Sequence, residues 1–327
     1  MLTLGKLRGL AAISSSNGTF SMLALDHRGS FRRMTADMFG GEATWEQVVA
    51  EKVRLAGALL PHATAVLTDP LFTAGPLVAR GVLPGNTGFL VALEQSGFTD
   101  EPGGRRNVIE PGWTVEAIKR MGAAGVKLLV QYHPAAENAS LQEDFVAKIG
   151  EECRQHDLVL VVEPVCYAPK GKKSDRAFIE AMPALIPEIA RRFDDSGADI
   201  LKLEYPLLEE AAPADMEAAC AGITAATRLP WVVLSGGVPF DDFLAQVRAA
   251  CAAGASGYLG GRAIWKEAMT MADPLARDAF LSRVAAPRIA ALTAVTEASA
   301  TPWQDRPSAK NIAAVQEGWH RDYAAGQ

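Results

Sequence analysis

The chain has 327 residues, 49% of them apolar and 21% charged, with a net charge of −6 at pH 7. That length suits one large α/β barrel with additions, and the composition can furnish a large core. The acidic balance speaks against a general nucleic-acid surface, which would be basic, while local positive pockets for small anions remain compatible with it. Four separated cysteines (Cys153, Cys166, Cys220, Cys251), with no Cys-x-x-Cys pair, argue against a disulfide scaffold or a structural zinc. Lys6 and Arg8 interrupt the mildly apolar start, so no signal peptide is expected. No apolar run approaches the ~20 residues that a membrane span needs. The expectation is a soluble cytoplasmic protein with no membrane or nucleic-acid partner.

Taken in chain order, β-rich runs fall at Phe20–Asp26, Ala63–Asp69, Gly88–Glu94, Gly125–Tyr132, Leu158–Glu163, Asp199–Tyr205, Trp231–Gly236 and Gly257–Arg262. Several are near-continuous apolar stretches, as strands covered on both faces should be. Amphipathic segments lie between them, at Trp45–Leu60, Leu141–Gln155, Arg176–Ser196 and Asp241–Ala253. Eight β/α repeats over about 250 residues predict a (β/α)8 TIM barrel of class α/β. The competing open doubly wound sheet lacks its dinucleotide fingerprint, because Asp26-His27-Arg28-Gly29-Ser30 carries no Gly-x-Gly-x-x-Gly. Residues 1–327 read as one barrel domain, with additional C-terminal helices from about 266 to 327 packed on the barrel or forming a homo-oligomer contact. Gln95–Gly112 reads as a long polar loop after the third strand. Pro169–Asp175, with Lys170, Lys172 and Lys173, reads as a basic loop after the fifth.

Charged residues are concentrated late in the strands, where barrel active sites sit. In Ala-Asp-Ile-Leu-Lys-Leu-Glu-Tyr-Pro (198–206), Ile200, Lys202 and Glu204 share a face. A lone buried lysine is costly as a cation, so its pKa falls and its amine can attack a carbonyl to form a Schiff base. The structural alternative is a strand face in solvent or an ion pair with Glu204. Lys127 is a second intrastrand lysine: two inward lysines would leave one neutral and nucleophilic beside one charged, or Lys127 simply pairs with Asp26 or Glu163. Glu163 at its strand end suits general acid–base work, and the same residue could bridge to either lysine. Asp26 could orient a lysine or a substrate hydroxyl, or cap the helix entered near Gly29–Phe31.

Ser235-Gly236-Gly237 and Gly260-Gly261-Arg262 end strands seven and eight, where barrels frequently hold phosphate. Ordinary glycine turns are the alternative. His27 and Arg28 could hold a second anionic group, unless Arg28 is merely solvated. The remaining histidines show no metal-ligand spacing, and no metal or other cofactor is expected.

Six motifs in order then carry a resemblance. They are Met-Leu-Ala-Leu-Asp-His-Arg-Gly (22–29), Val-Lys-Leu-Leu-Val (126–130), Val-Glu-Pro-Val (162–165), residues 198–206, Trp-Val-Val-Leu-Ser-Gly-Gly-Val (231–238) and Ala-Gly-Ala-Ser-Gly-Tyr-Leu-Gly-Gly-Arg-Ala-Ile-Trp (253–265). Over residues 20 to about 303 the chain resembles the class I tagatose-1,6-bisphosphate aldolases and the related sulfofructose-phosphate aldolases. The resemblance implies a metal-free lyase acting on a ketose phosphate to give dihydroxyacetone phosphate and an aldehyde. It implies Lys202 as Schiff-base lysine, Glu163 as proton-transfer carboxylate, and Lys127 and Asp26 as organisers. Ser235, Gly261 and Arg262 match the C1-phosphate site, and Arg28 a residue near the distal anionic group. His27 departs from the glutamine that the family usually carries, at a position the resemblance sets near the substrate's distal end. Cleavage of a sulfofructose 1-phosphate, a metal-dependent aldolase or epimerase, and a non-catalytic sugar-phosphate-binding barrel are the competing readings.

Overall fold

Strands that are buried on both faces form wherever the sequence runs apolar without a helical period. In the computed structural model, which describes residues 2–207, 211–312 and 315–324, ten strands occur. They are β1 (Phe20–Ala24), β2 (Ala65–Thr68), β3 (Gly88–Ala92), β4 (Thr99–Glu101), β5 (Gly104–Arg106), β6 (Gly125–Tyr132), β7 (Val159–Cys166), β8 (Ile200–Leu203), β9 (Trp231–Leu234) and β10 (Gly257–Gly260). Eight of them close a parallel barrel in the order β1-β10-β9-β8-β7-β6-β3-β2. Each corresponds to a strand expected from sequence. Most are shorter than expected because the polar residues at their C-terminal ends turn into the loops, whereas β7 runs on through Pro164 to Cys166.

Alternation sorts the barrel's side chains into two layers. Met22, Ala24, Leu67, Leu90, Val161, Ile200 and Val232 form an inner cluster. Their neighbours, such as Leu23, Val66, Val91, Val162 and Leu201, pack outward against the helices. The helical ring includes the expected segments at Trp45–Leu59, Ala139–Gln155, Arg176–Arg192 and Phe240–Ala252. Thr44 and Gln47 close a capping box at the first of these. Helix Ala286–Ser299 packs on β1 and on the helices Trp45–Leu59 and Phe240–Ala252. The C-terminal helices therefore begin as part of the ring before Trp303 returns to the inner cluster.

Two features differ from expectation. Helix Leu4–Ile13 lies beneath the barrel, with Leu10 and Ile13 in the inner cluster. It packs so closely that a Cβ on Gly9 would come within 2.8 Å of the Ala124 carbonyl oxygen. Its weak amphipathicity gave little sequence signal. The stretch Gln95–Gly112, expected as a loop, folds into the antiparallel hairpin β4–β5. The turn Pro102-Gly103-Gly104 permits the reversal, Gly104 taking φ +136°. The Arg105 guanidinium lies over the Phe98 and Tyr167 rings, 4.1 and 4.7 Å from their centroids. Among the described residues, no helix is long and apolar enough to cross a membrane.

Candidate active site

Above the apolar inner layer, the inward positions become charged. In β6–β7, Lys127 stands opposite Val161 and Leu129 opposite Glu163; in β7–β8, Val161 stands opposite Ile200. Two residues further along each strand, Glu163 and Lys202 therefore reach the same level of the interior. Lys202 Nζ lies 2.9 Å from Glu163 Oε1, and Lys127 Nζ lies 2.9 Å from Glu163 Oε2. Lys127 also meets Asp26 Oδ2 at 3.0 Å and Glu94 Oε1 at 2.9 Å. Both lysines are buried, at 1% and 5% exposure for Lys127 and Lys202.

Burial alone would strip the proton from Lys127. Glu163, Glu94 and Asp26 overcome that penalty and hold its pKa well above the ordinary lysine range. Burial opposes the charged forms of Asp26 and Glu163 too, yet Lys127 and then Lys202 hold both carboxyls below the usual range. Lys127 is thus the fixed cation, and Glu163 is an anion shared by two lysines. Among the described residues, Lys202 meets one carboxylate, that of Glu163. It is not the lone buried lysine of the first expectation.

The expected Lys202–Glu204 alternative does not form. Glu204 accepts from the Cys166 backbone N–H and thiol, each at 2.8 Å, and pairs with Lys173. Lys173 is thereby more than a solvated loop lysine. Asp26 does not cap the following helix either: Arg28 occupies the N-cap position with no side-chain cap bond, because Asp26 is committed to Lys127.

Arg28 is buried rather than solvated. Its guanidinium donates to the Glu94 carbonyl at 2.6 Å and to Glu94 Oε1 at 3.2 Å, with Glu110 Oε2 3.5 Å away. Glu94 is the residue that sequence reasoning missed. It ends an apolar strand run just as Glu163 does, so the criterion that found Glu163 would have found it. Its second oxygen accepts from the Leu129 backbone N–H at 3.1 Å, tying β3 to β6.

His27 lies on the β10 side: its ring meets Trp265 edge-on, 5.3 Å between centroids, and a Cβ on Gly261 would come within 2.9 Å of His27 Cε1. The structure therefore sets it beside the expected phosphate corner. Burial, against the opposing pull of Asp26, lowers its pKa to about 3, so the ring is neutral near pH 7. Among the described residues, its buried Nδ1 has no hydrogen-bond partner.

At that corner, Gly236 and Gly237 take φ +57° and +89°, a left-handed turn that favours glycine. Gly260 leaves no room for a side chain, since a Cβ would lie 2.7 Å from the Phe243 ring. Ser235 Oγ accepts from the Gly261 N–H at 3.4 Å, and Arg262 Nη2 donates to the Gly236 carbonyl at 3.3 Å. A cavity of about 350 Å³ opens here, bounded by Asp26, His27, Arg28, Lys127, Glu163 and Lys202, and closed towards β9 and β10 by Gly236 and Arg262. Ser235, Gly260 and Gly261 stand behind this lining.

A larger cavity, about 500 Å³, lies at the N-terminal ends of β8 and β9. Its cations all face carboxylates, Lys6 with Asp199, Arg154 with Glu151 and Arg228 with both Asp194 and Asp195. In barrels that face serves stability, and among the described residues no carboxylate there is shared between two lysines.

A parallel eight-stranded barrel with a lysine–carboxylate network in its C-terminal mouth defines an enzyme of the barrel class. The particular family follows from comparison with known proteins. The chain belongs to the DeoC/LacD aldolase family, whose pattern matches residues 20–267, and it is accordingly an aldolase, a lyase. It is 31% identical to the tagatose 1,6-diphosphate aldolase of Streptococcus agalactiae, over 93% of this chain and 99% of that one. Tagatose 1,6-diphosphate aldolase 1 of Streptococcus pyogenes is likewise 31% identical, over 89% of this chain and 95% of its own. Among solved structures, an archaeal fructose 1,6-bisphosphate aldolase aligns with a TM-score of 0.58 at 22% identity, covering 90% of this chain and 99% of that chain. A fructose-bisphosphate aldolase from Slackia heliotrinireducens aligns with a TM-score of 0.60 at 18% identity, over 97% and 93% of the two chains. These structures share the fold.

Proposed function

We propose that the protein is a class I, Schiff-base aldolase that cleaves a ketose 1-phosphate or 1,6-bisphosphate, of the tagatose type, to dihydroxyacetone phosphate and an aldehyde. The observation that carries this reading is the Lys202–Glu163–Lys127 relay, with 2.9 Å on both sides of one carboxylate. Arg262 and the backbone around Gly236 would hold the C1 phosphate and so set C2 beside Lys202. Glu163 takes a proton from the Lys202 ammonium, and the free amine adds to C2. The protonated Glu163 returns the proton as water leaves, giving an iminium. The Glu163 carboxylate then removes the C4 hydroxyl proton. The C4–O electrons form the aldehyde carbonyl, the C3–C4 bond breaks, and its electron pair enters the iminium to leave an enamine. Protonation at C3 and hydrolysis release the ketone product and restore Lys202. Lys127 stays charged throughout and keeps Glu163 ionised between transfers.

Borohydride reduction in the presence of dihydroxyacetone phosphate, followed by peptide mass mapping, tests this. A reduced adduct on Lys202 is expected. An enzyme that turns over ketose phosphate without any borohydride-trapped adduct would exclude the Schiff-base route.

A further inference from the structure

Four cations line the cavity: Arg28, Lys127, Lys202 and Arg262. Three of them already face carboxylates, Arg28 with Glu94 and Glu110, Lys127 with Asp26, Glu94 and Glu163, and Lys202 with Glu163. Among the described residues, Arg262 alone of the four has no ion-pair partner, and its Nε has no hydrogen-bond partner. The loops after β1 and β3 and strand β6 line the cavity wall with the neutral Ser30, Gln95, Ser96, Gly97 and Gln131, beside Arg28 and its carboxylate Glu94. Glu204 adds a carboxylate to the mouth.

From this distribution we propose that the distal end of the substrate site takes an uncharged hydroxylated tail, so that the preferred substrate is a ketose 1-phosphate monoester. The proposal rests on the reading of the Gly236–Arg262 corner as the phosphate site. A second anion at the far end would have to compete for Arg28 with Glu94 and Glu110, two carboxylates that already face its guanidinium. The cations behind the wall are directed elsewhere. Lys173 is held by Glu204. Arg105 lies over Phe98 and Tyr167 and donates to Gln131 Oε1 at 3.0 Å. That bond fixes the carboxamide of Gln131, leaving its N–H groups as neutral donors for a sugar hydroxyl. Arg33, one turn into the helix that begins at Gly29, is solvent-exposed, where screening weakens its hold on an anion.

The deciding measurement is calorimetric binding to the Lys202→Met variant, which retains ligand without turnover. Tagatose 1-phosphate, tagatose 1,6-bisphosphate and sulfofructose 1-phosphate serve as probes, at fixed ionic strength. The expected result is binding of the monoester about ten-fold tighter than either ligand with an anionic distal end. Equal or tighter binding of the bisphosphate or the sulfonate overturns the proposal. A Gln131→Arg variant should narrow the gap by adding a cation to the far wall; an unmoved gap removes Gln131 from that wall. Failure of all three ligands to bind would instead remove the phosphate reading of the Arg262 corner, and the selectivity with it. The borohydride adduct on the wild-type enzyme reports on the lysine chemistry independently of either result.

Discussion

Lys6 meets Asp199 at 2.8 Å under the N-terminal mouth of the barrel, and Lys202 meets Glu163 at 2.9 Å in the C-terminal mouth. Both pairs are buried, and both border a cavity. They differ in how the carboxylate is shared. Asp199 serves one lysine and the Leu160 backbone N–H, a closed arrangement that fixes the N-terminal helix to β8. Glu163 is divided between two lysines, one of which is pinned as a cation by two further carboxylates. A carboxylate so placed can give and recover a proton while its other neighbour stays charged. Burial, cavity volume and ion pairing are common to both ends; the shared carboxylate belongs to one.

The comparison breaks most visibly if Lys202 is changed. Lys202→Met should lower kcat by at least about 10³-fold, since the covalent route is lost. Its melting temperature should stay close to wild type, because Glu163 keeps Lys127. Steady-state kinetics with a thermal melt reads both. Glu163→Gln should cost about 10²- to 10⁴-fold in kcat, the range for a removed acid–base group. It should still permit slow borohydride trapping.

At the other mouth, Lys6→Met should leave kcat within about two-fold while destabilising the fold by about 2–4 kcal/mol, because Asp199 is left buried without its cation. Burial already raises the pKa of Asp199, against the pull of Lys6. The variant can therefore relieve part of the cost by taking up a proton, and should be relatively more stable at acid pH. Denaturant titration at two pH values checks this. A large loss of kcat in Lys6→Met would erase the distinction between the ends.

A smaller effect concerns His27. Its folded pKa of about 3 lies below its unfolded value of 6.5. The unfolded chain therefore binds the proton first as pH falls. The stability that neutral His27 contributes is complete above pH 6.5 and is lost progressively towards pH 3. Between pH 7 and 5 this amounts to about 2 kcal/mol at most. His27→Gln should remove that part of the acid sensitivity, and parallel denaturant titrations at pH 7 and 5 would show it. Asp26 and Glu163, also lowered, add a loss that begins only below their ordinary ranges near pH 4. Equal slopes for wild type and His27→Gln between pH 7 and 5 would contradict the neutral, buried ring.

Much of this was legible in the chain itself. Continuous apolar runs specify strands covered on both faces, and their eightfold alternation with amphipathic segments specifies the barrel. A lysine inside such a run has few ways to be accommodated, which is why Lys202 and Lys127 stand out locally. The helix Leu4–Ile13 and the hairpin β4–β5 did not stand out. The first has a weak apolar stripe, and the second is held by a turn and by Arg105 stacking on the nearby Phe98 and on Tyr167, which is distant in sequence.

The partners were decided only by tertiary structure. Local sequence offers Glu204 to Lys202, two residues along the same strand, yet barrel closure and the β7–β8 register deliver Glu163 from the neighbouring strand. Closure likewise carries Asp26 and Glu94 to Lys127 and takes Arg28 out of solvent. Strand periodicity fixes which side of the sheet a charge faces. Which opposite charge it meets there depends on register and stagger between strands far apart in sequence, and those are set when the whole barrel packs.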